Sequence, residues 1–411
     1  MSRPRLLATV LAGSLIVNGA LLVGLRTAWP DTGLQPIYWF LTGRQGGDSW
    51  RGMLRAHKVA STAEGRGALY EHTFFSPDLQ HDGYQYPPTA LLVVSALDRA
   101  NGAATESALR AITWLAIPLT ALLVFWIAGG ERRLALLGLA AALAATLVFY
   151  PVMRAYRNGQ IQTWLTAAFA ASLLAFISGR PVTSGGLVGL ACLVKPQWSL
   201  VLVWAGLRRE WRFAGGFVAV AGAGLGTALL LYGVAPFIDY AGVLRFLARH
   251  GEAFFPNQSV NGLLHRALFN GDNLTWAPQW IAHFPPFHPV VYAGTLASSA
   301  LLLGIALISR AREGDRALDY ALMALAATIA SPIAWEHHYG ILLPIFALLL
   351  RRWDAGRVAA WPAGVLAAAF VLTSTHVHAA NRLASTRGNV LQSLLLVGAL
   401  VVFAVLVRVR R

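Results

Sequence analysis

The chain has 411 residues, of which 56% are hydrophobic and only 12% are charged, and its mean hydropathy is +0.56. Its repeated apolar runs approach the length of roughly 20 residues that spans a bilayer, which excludes a soluble globular protein and indicates a polytopic membrane protein. The formal net charge of +15 does not indicate nucleic-acid binding, because the arginines are spread over short connections and do not cluster in a soluble domain.

The apolar runs, taken in chain order, predict twelve spanning helices in a single domain that covers residues 1–411. The first run follows the basic segment Met1–Arg5 and lacks a small-residue cleavage site, which indicates an uncleaved helix rather than a signal peptide. The predicted helices cover residues 6–25, 87–98, 108–128, 134–150, 160–178, 183–206, 213–235, 289–309, 317–333, 338–350, 358–375 and 390–407. The segment 87–98 is the shortest, and a re-entrant segment there would invert the helices that follow it.

The arginines predict the orientation of these helices. Most of them fall on the side of the chain termini, including Arg99, Arg110, Arg154 and Arg157. The short connections on the opposite side hold only Arg132, Arg133, Arg180, Arg382 and Arg387. Because short cytoplasmic loops carry an excess of Lys and Arg, this bias puts both termini in the cytoplasm.

Two long connections, residues 27–85 and 236–288, fall on the outer face in this arrangement. Connections of this length are uncommon unless they are functional. Within the first, residues 49–64 place Trp50, Met53 and Leu54 on one side at helical spacing, which predicts an amphipathic helix lying on the membrane. Asp48 stands just before this helix, at the position of an N-cap residue.

The segment Ser331-Pro-Ile-Ala-Trp-Glu-His-His-Tyr339 brings three ionisable groups to the end of an apolar helix. Ionisable side chains inside spanning segments are costly and usually face a cavity or the interior of the bundle. Glu336, His337 and His338 therefore indicate a working site, and the alternative is that they are interfacial residues at a helix end.

Several short motifs resemble those of the integral-membrane glycosyltransferases of the GT-C fold, and more narrowly those of glycosyltransferase family 87. The resemblance runs from about residue 48 to residue 340 and preserves the order of the motifs. The motifs are Gly47-Asp48, Gly67-Ala-Leu-Tyr70, Tyr84-Gln-Tyr-Pro-Pro88, Asn158-Gly-Gln160, Leu193-Val-Lys-Pro196, Asn257-Gln-Ser259 with Arg266 beyond it, and SPIAWEHH.

The resemblance implies an all-α membrane enzyme that transfers a hexose, expected to be mannose, from a polyprenyl-phosphate donor to a lipid or glycan acceptor with inversion. It implies a bacterial inner-membrane protein with its active site on the periplasmic face. A nucleotide-sugar donor is disfavoured, because the sequence has no P-loop and no G-x-G-x-x-G after a strand. The alternative class is a transporter or flippase for a lipid-linked or polar solute, which would also explain polar residues at membrane depth.

Such a transfer needs a base that takes the proton of the acceptor hydroxyl, and a carboxylate in a partly desolvated site is suited to it. Asp48 is the first candidate, with helix capping as its alternative role, and Glu336 is the second candidate. The departing phosphate needs cationic or hydrogen-bonding partners, for which the candidates are His337, His338, Arg266 and Lys195. Lys195 interrupts an apolar run, so it either faces such a group or extends to the interface.

The predicted sugar- and acceptor-binding residues are Tyr84, Tyr86, Asn257, Gln258, Asn261, Gln160 and Trp335. The tyrosines can stack on a sugar face or anchor the chain at the interface. The amides can bind sugar hydroxyls or close turns. Neighbouring histidines do not have the i, i+4 spacing of a zinc pair, so we expect no metal and no cofactor, and activity that survives EDTA.

Overall fold

The computed structural model describes residues 35–80, 83–130, 135–309, 315–354 and 362–409. These residues form helices, joined by short 3-10 segments, and no strand occurs among them. The first helices in chain order are α1 (Gln35–Leu41), α2 (Asp48–Ala60), α3 (Ala63–Gly67), α4 (Leu69–Thr73), α5 (Leu91–Asn101), α6 (Thr105–Ile127), α7 (Ala135–Val148), α8 (Tyr150–Asn158), α9 (Gln162–Ile177) and α10 (Pro181–Cys192). They are followed by α11 (Leu200–Leu207), α12 (Trp211–Tyr232), α13 (Ala235–His250), α14 (Val260–Ala267), α15 (Pro289–Ile308), α16 (Arg316–Ile329), α17 (Leu342–Asp354), α18 (Pro362–Ser374) and α19 (Leu394–Val409).

Four helical stretches of the described residues are long and apolar enough to cross a membrane, and a fifth is added if the bent pair of α7 and α8 counts as one span. These stretches are Pro88–Ile127, Trp211–Tyr232, Pro289–Ile308 and Arg387–Val409. The prediction of an all-helical membrane protein is confirmed. The prediction of twelve spans stays a prediction, and its first helix, 6–25, lies outside the described residues.

The amphipathic helix predicted at 49–64 is α2. Trp50 and Met53 are fully buried, whereas Arg51 and Arg55 are exposed, as the helical spacing requires. The helix begins one residue earlier than predicted, at Asp48, and Gly47 occupies the N-cap position. Asp48 is therefore the first residue of the helix and not its cap.

The apolar run 87–98 does not cross the bundle, and the prediction of a span there is wrong. It belongs mainly to α5, which packs along α2. Tyr86, just before this run, lies 2.8 Å from the hydroxyl of Ser49, and Asp98 near its end lies 3.4 Å from Nε2 of His57. Because both ends meet α2, the chain is still at the same end of the bundle, here named the Asp48 end, where α6 begins.

The run 183–206, predicted as one span, is a hairpin of α10 and α11. The backbone of Lys195 is extended, and Pro196 then starts the 3-10 segment Pro196–Ser199. A proline has no N–H to continue a helical ladder, which explains the break. Pro181 at the start of α10 and Arg212 soon after α11 line one cavity together with Arg351. Both limbs of the hairpin therefore meet what we name the Arg351 end.

Together, these two corrections move the described residues between 99 and 182 to the opposite end of the bundle from the one predicted. The segments after residue 206 stay at the ends predicted for them. Nη1 of Arg110 donates to the carbonyl of Gln45 over 2.6 Å, near the start of α2. A Cβ atom added to Gly129, just after α6, would lie 3.8 Å from the Arg351 side chain. Helix α6 thus runs from the Asp48 end to the Arg351 end. The arginines whose predicted ends are reversed are Arg99, Arg110, Arg154, Arg157 and Arg180.

The chain bends by 65° between α7 and α8. The predicted helix 134–150 ends at this bend, and α8 continues in a new direction from Tyr150, with Pro151 in its first turn. Proline is favoured in a first turn because its missing N–H has no helical partner there. The bend places α8 beside α2 at the Asp48 end, where the carbonyl of Arg157 accepts the N–H of Gly46 over 2.7 Å.

The two long connections meet at the Asp48 end, and both contain helices. Residues 35–80 hold α1 to α4, and residues 236–288 hold most of α13 and all of α14. The N–H of Trp280 donates to the carbonyl of Leu79 over 2.8 Å, and Gln80 pairs with Gln279 in an isolated antiparallel bridge. The two segments therefore form one cover over this end of the bundle.

We predict that cysteines at the two ends will react with an impermeant thiol reagent from opposite sides of the membrane. In a Cys192→Ser background, Ser61→Cys and Ala103→Cys should be labelled together, because α5 returns to α2. Ser178→Cys should react only after permeabilisation, because α9 ends at the Arg351 end. Joint labelling of positions 61 and 178 in sealed cells, with position 103 protected, would restore the span at 87–98.

Candidate active site

A cavity of about 250 Å³ lies at the Asp48 end. Its wall is built from the start of α2, the segment before α5, the region of α8 and Gln160, and the later covering segment, residues 236–288. The 3-10 segment Glu336–Ile341 closes the wall from the direction of α16 and α17. The lining residues are Asp48, Arg51, Gly83, Gln85, Tyr86, Arg154, Asn158, Gln160, Phe254, Pro256, Trp276, Trp280, Trp335, Glu336 and His337.

A pair of glycines brings α2 against the end of α8. Gly159 has φ +67°, and a Cβ atom there would lie 2.3 Å from the carbonyl oxygen of Gly46. The close approach lets the Ser49 hydroxyl donate to Oε1 of Gln160 over 2.7 Å and accept the N–H of Ile161 over 3.0 Å. The Asn158-Gly-Gln160 motif thus fixes the position of α2, and with it the position of Asp48.

Asp48 presents its carboxylate to the cavity. Nε2 of Gln160 lies 3.4 Å from Oδ2, and Nη2 of Arg51 lies 3.5 Å from Oδ1. The Asp48 side chain is 38% exposed, so water or a substrate hydroxyl can reach it. It is the accessible carboxylate of the two predicted candidate bases.

Glu336 is buried, and both of its carboxylate oxygens are engaged. The Tyr150 hydroxyl donates to Oε2 over 2.7 Å, and Nδ1 of His376 lies 2.8 Å from Oε1. Nε of Arg154 lies 3.7 Å from Oε2. Burial alone would raise the pKa of the Glu336 carboxyl, but His376, Arg154 and Tyr150 outweigh burial and lower it to about 2. The geometry thus describes a permanently charged group that holds its neighbours, and it does not favour Glu336 as the base.

His337 faces the cavity beside Glu336. Burial, together with the charges of Lys195 and Arg154, holds the pKa of His337 well below its ordinary value. Its ring contacts Trp335 and His338, and its nitrogens make no hydrogen bond within the described part of the chain. A neutral imidazole in this position has both a donor and an acceptor nitrogen for a bound substrate.

His338 and Lys195 pair with each other behind the cavity wall. Nζ of Lys195 lies 3.1 Å from Nε2 of His338 and 5.3 Å from the ring centre of Tyr86. Neither residue lines the cavity, and both contact residues that do, namely Tyr86 and His337. Their predicted contact with a donor phosphate stays a prediction.

Arg266 is fully buried and is committed to the protein itself. Its guanidinium donates to the carbonyl of Asn257 over 3.0 Å and to the hydroxyl of Ser393 over 2.7 Å. Further bonds of 3.3 Å reach the carbonyls of Ala253 and Phe254. These bonds hold the loop around residues 253–257, and the predicted contact of Arg266 with a donor phosphate stays a prediction.

The predicted amides 257, 258 and 261 also hold the protein together. Nδ2 of Asn257 donates to the carbonyl of Pro332 over 3.1 Å, and its Oδ1 accepts the N–H of Ala334 over 3.0 Å. Gln258 donates to the carbonyl of Gln392 over 2.7 Å, and Asn261 to the Thr295 hydroxyl over 3.0 Å. Of the two alternatives, the structure supports the role of closing turns.

Some of the predicted site residues line the cavity at the Asp48 end, and the others do not. The cavity brings together Asp48, Tyr86, Gln160, Trp335, Glu336 and His337. The remaining residues lie elsewhere: Tyr84, Lys195, Asn257, Gln258, Asn261, Arg266 and His338. Tyr84 is completely buried, and its hydroxyl donates to the carbonyl of Pro87 over 2.7 Å, so its ring is not available to a sugar.

The sequence patterns did not single out Arg154 or most of an aromatic wall, of which only Trp335 was predicted. Arg154 entered the sequence analysis only as a charge that orients the chain, because helix 134–150 was predicted to end before it. The Tyr150-Pro151 pair was the signal that a new helix begins there. The aromatic wall consists of Phe254, Trp276, Trp280 and Trp335, with the Trp276 and Trp335 rings 5.4 Å apart. Tryptophans 276 and 280 are four residues apart in a proline-containing loop, a pattern that hydropathy does not detect.

Within the described residues, no group of three or more His, Cys, Asp or Glu side chains is arranged to hold a metal ion. Asp48 and Glu336 do share the cavity, but the oxygens of Glu336 already contact Tyr150 and His376. The expectation of a reaction without metal or cofactor stays a prediction, which activity in EDTA would test.

The fold and the site define a class: an all-helical membrane protein with a polar, aromatic-lined cavity at one end. A family model described as glycosyltransferase family 87 matches residues 84–332. This match covers more than half of the chain, which therefore belongs to glycosyltransferase family 87 and is a membrane glycosyltransferase. The alternative of a transporter or flippase is not favoured.

Two curated relatives support this membership. Both are described as polyprenol-phosphate-mannose-dependent α-(1-2)-phosphatidylinositol pentamannoside mannosyltransferases. The protein from Mycobacterium tuberculosis is 26% identical over 314 residues, which cover 74% of this chain and 67% of the relative. The protein from Mycolicibacterium smegmatis is 27% identical over 307 residues, which cover 71% of this chain and 67% of the relative. No solved structure gives a significant match.

We predict that Gly159→Ala will lower the melting temperature of the protein far more than Gly43→Ala. Both glycines have φ +67°, but a Cβ atom at Gly43 has no neighbour within 4 Å. The backbone penalty of roughly 1–2 kcal/mol is therefore shared, and only position 159 adds a steric clash of about 1–3 kcal/mol. Thermal denaturation of the two purified variants measures the difference. Equal melting temperatures would mean that the contact between α2 and α8 is looser than described.

Proposed function

We propose that this glycosyltransferase transfers a mannosyl residue from a polyprenyl-phosphate donor to a hydroxyl group of a lipid or glycan acceptor, with inversion at the anomeric carbon. The observation that carries the proposal is that the accessible carboxylate of Asp48 lines the same cavity as His337 and Arg154. The donor class is supported by the descriptions of both curated relatives.

Asp48 serves as the general base in this proposal. It accepts the proton of the acceptor hydroxyl while the oxygen of that hydroxyl forms a bond to the anomeric carbon. The bond between the anomeric carbon and the donor phosphate breaks at the same time, and polyprenyl phosphate leaves with the bonding electron pair. Proton transfer to a positioned base contributes about 10²–10⁴-fold to such reactions.

The leaving phosphate is stabilised by groups on the opposite part of the wall. Arg154 keeps its cationic guanidinium 25% exposed at the cavity while it contacts Glu336. His337, neutral at ordinary pH, donates an N–H hydrogen bond to a phosphate oxygen. Charged donors aimed at the leaving group are worth more in a site that excludes water, because the local dielectric constant is low.

The aromatic wall suits the apolar face of a sugar ring. Trp335 is held in place by a 2.6 Å hydrogen bond from its indole Nε1 to Oε2 of Glu252. Trp276 packs against it edge to face, with an interplanar angle of 89°. A fixed pair of rings orients the sugar at little entropic cost, and Gln160 and Asn158 lie within the same cavity to bind its hydroxyl groups.

We also propose that the protein lies in the inner membrane of a bacterium, with its Asp48 end on the periplasmic side. Many of the arginines of the later segments, which keep their predicted order, belong to the Arg351 end. They include Arg208, whose guanidinium donates to the carbonyl of Ser309 over 2.8 Å, and Arg352. The excess of basic residues at cytoplasmic ends supports that orientation.

We predict that Asp48→Asn will lower mannosyl transfer by about 100-fold or more, because the amide cannot accept the proton. The assay uses purified protein, radiolabelled polyprenyl-phosphate mannose and a panel of lipid and glycan acceptors, with GDP-mannose as the rival donor. Asp78→Asn, an exposed acid outside the cavity, is the matched control and should keep full activity. Transfer from GDP-mannose alone, or unchanged turnover in Asp48→Asn, would refute the donor class or the base, respectively.

We predict that His337→Ala will weaken donor use more than acceptor use. The loss of one hydrogen bond to a charged phosphate is worth about 1.5–3 kcal/mol, or roughly 10- to 100-fold in kcat/KM for the donor. The exposed His72→Ala variant is the control for the change of residue type. A parallel fall in the kcat/KM values of donor and acceptor would place His337 outside the phosphate site.

A further inference from the structure

A second cavity, of about 600 Å³, lies at the Arg351 end and is larger than the one that contains Asp48. Helix α9 leads from Gln160, at the first cavity, to Ile177, which lines the second. Sixteen helical residues span about 24 Å, so the two cavities are separated by most of the thickness of a bilayer core. The second cavity is therefore a separate site and not an extension of the catalytic one.

Its charged lining is dominated by arginine. Four arginines and one glutamate contribute to the wall: Arg212, Arg316, Arg351, Arg352 and Glu210. Arg316 forms an ion pair with Glu210, and Arg352 lies 3.3 Å from the carboxylate of Asp315. After these two pairs, Arg212 and Arg351 remain, and no carboxylate among the side chains that the structure describes forms an ion pair with either. Two guanidinium groups on one wall can donate charge-assisted hydrogen bonds to the oxygens of a phosphate group.

Much of the remaining wall is apolar, and this favours an anion that carries an apolar group over a free inorganic ion. Phe176, Ile177, Ala317 and Leu348 line the same cavity. A free inorganic ion would leave these surfaces facing water, whereas a lipid headgroup brings a glycerol and the start of an acyl chain to cover them. Helices α10, α12 and α16 also begin around this cavity, and their N-terminal N–H groups add positive potential.

We propose that this cavity binds the phosphate of an anionic phospholipid headgroup, with Arg212 and Arg351 as its principal ligands. The occupant brings a negative charge to the two arginines that lack an ion pair with the described carboxylates, and it ties α9 and α17 to the starts of α10, α12 and α16. This binding is independent of the glycosyl-transfer reaction, because none of these residues reaches the Asp48 cavity. Basic pockets between helices at a cytoplasmic membrane surface are suited to such lipids.

The test measures lipid binding to the detergent-solubilised full chain by native mass spectrometry. Phosphatidylglycerol should bind wild type and Arg209→Gln alike, because Arg209 is an exposed arginine at the same end outside the cavity. Arg212→Gln and Arg351→Gln should each weaken binding by roughly tenfold or more, as expected for one lost charge-assisted contact. Phosphatidylcholine, whose headgroup has no net charge, should bind weakly to all four proteins.

Two further measurements keep the proposal falsifiable if a variant fails to fold. Hydrogen–deuterium exchange of the wild-type protein should show protection by phosphatidylglycerol at residues 176–181 and 348–352. Protection confined to other segments, or equal binding by Arg209→Gln and Arg351→Gln, would overturn the site. Displacement of the lipid by millimolar glycerol 3-phosphate, with the same protection pattern, would overturn the lipid assignment in favour of a soluble phosphate ester.

Discussion

The arrangement of the catalytic end depends on the burial of one carboxylate. A buried charge without partners costs several kcal/mol, so Glu336 can exist at 2% exposure only if other segments come to it. Tyr150 and Arg154 come from α8, and His376 comes from the segment after α18 and also stacks on the Tyr150 ring at 5.4 Å. The bend before α8 delivers Tyr150 to this carboxylate, and the same helix then presents Arg154 to the cavity. Glu336 thus fixes the position of the cation beside His337.

A second polar pair, Lys195 and His338, also joins distant segments of the chain behind the cavity wall. Lys195 sits where the α10–α11 hairpin is broken, and its partner is His338, 143 residues later in the chain. Irregular backbone at membrane depth is tolerated only where it is buried in protein or lines a cavity. The break is held from the α5 side as well, because the Thr89 hydroxyl donates to the carbonyl of Leu193 over 2.5 Å. The hairpin therefore supports the cavity wall, and its lysine acts there as a structural partner of His338.

The sequence predicted the features that depend on neighbouring residues in the chain. The spacing of Trp50 and Met53 was sufficient for α2, and the cost of ionisable residues was sufficient to single out Glu336 and His337. Hydropathy alone could not distinguish a crossing helix from α5, because an apolar segment that packs along α2 has the same composition as one that faces lipid. The role of Arg266 was equally inaccessible, since its hydrogen-bond partners include Ser393, which is 127 residues away. The two errors in helix count cancelled after residue 206, and the later segments kept their predicted ends.

The cavity residues lie mainly at the ends of helices, and the fold explains why. A helix interior satisfies its own backbone and offers only side chains, whereas a helix end also exposes backbone groups and allows the chain to turn toward another segment. Asp48 starts α2, Asn158 ends α8, and His337 lies in the 3-10 segment that leads into α17. Helices α9 and α17 both lead from this region to the Arg351 end, where Ile177 and Arg351 line the second cavity. Gln160 lies just before α9 and His337 lies in the 3-10 segment before α17, so both side chains are positioned by the turns that lead into these helices.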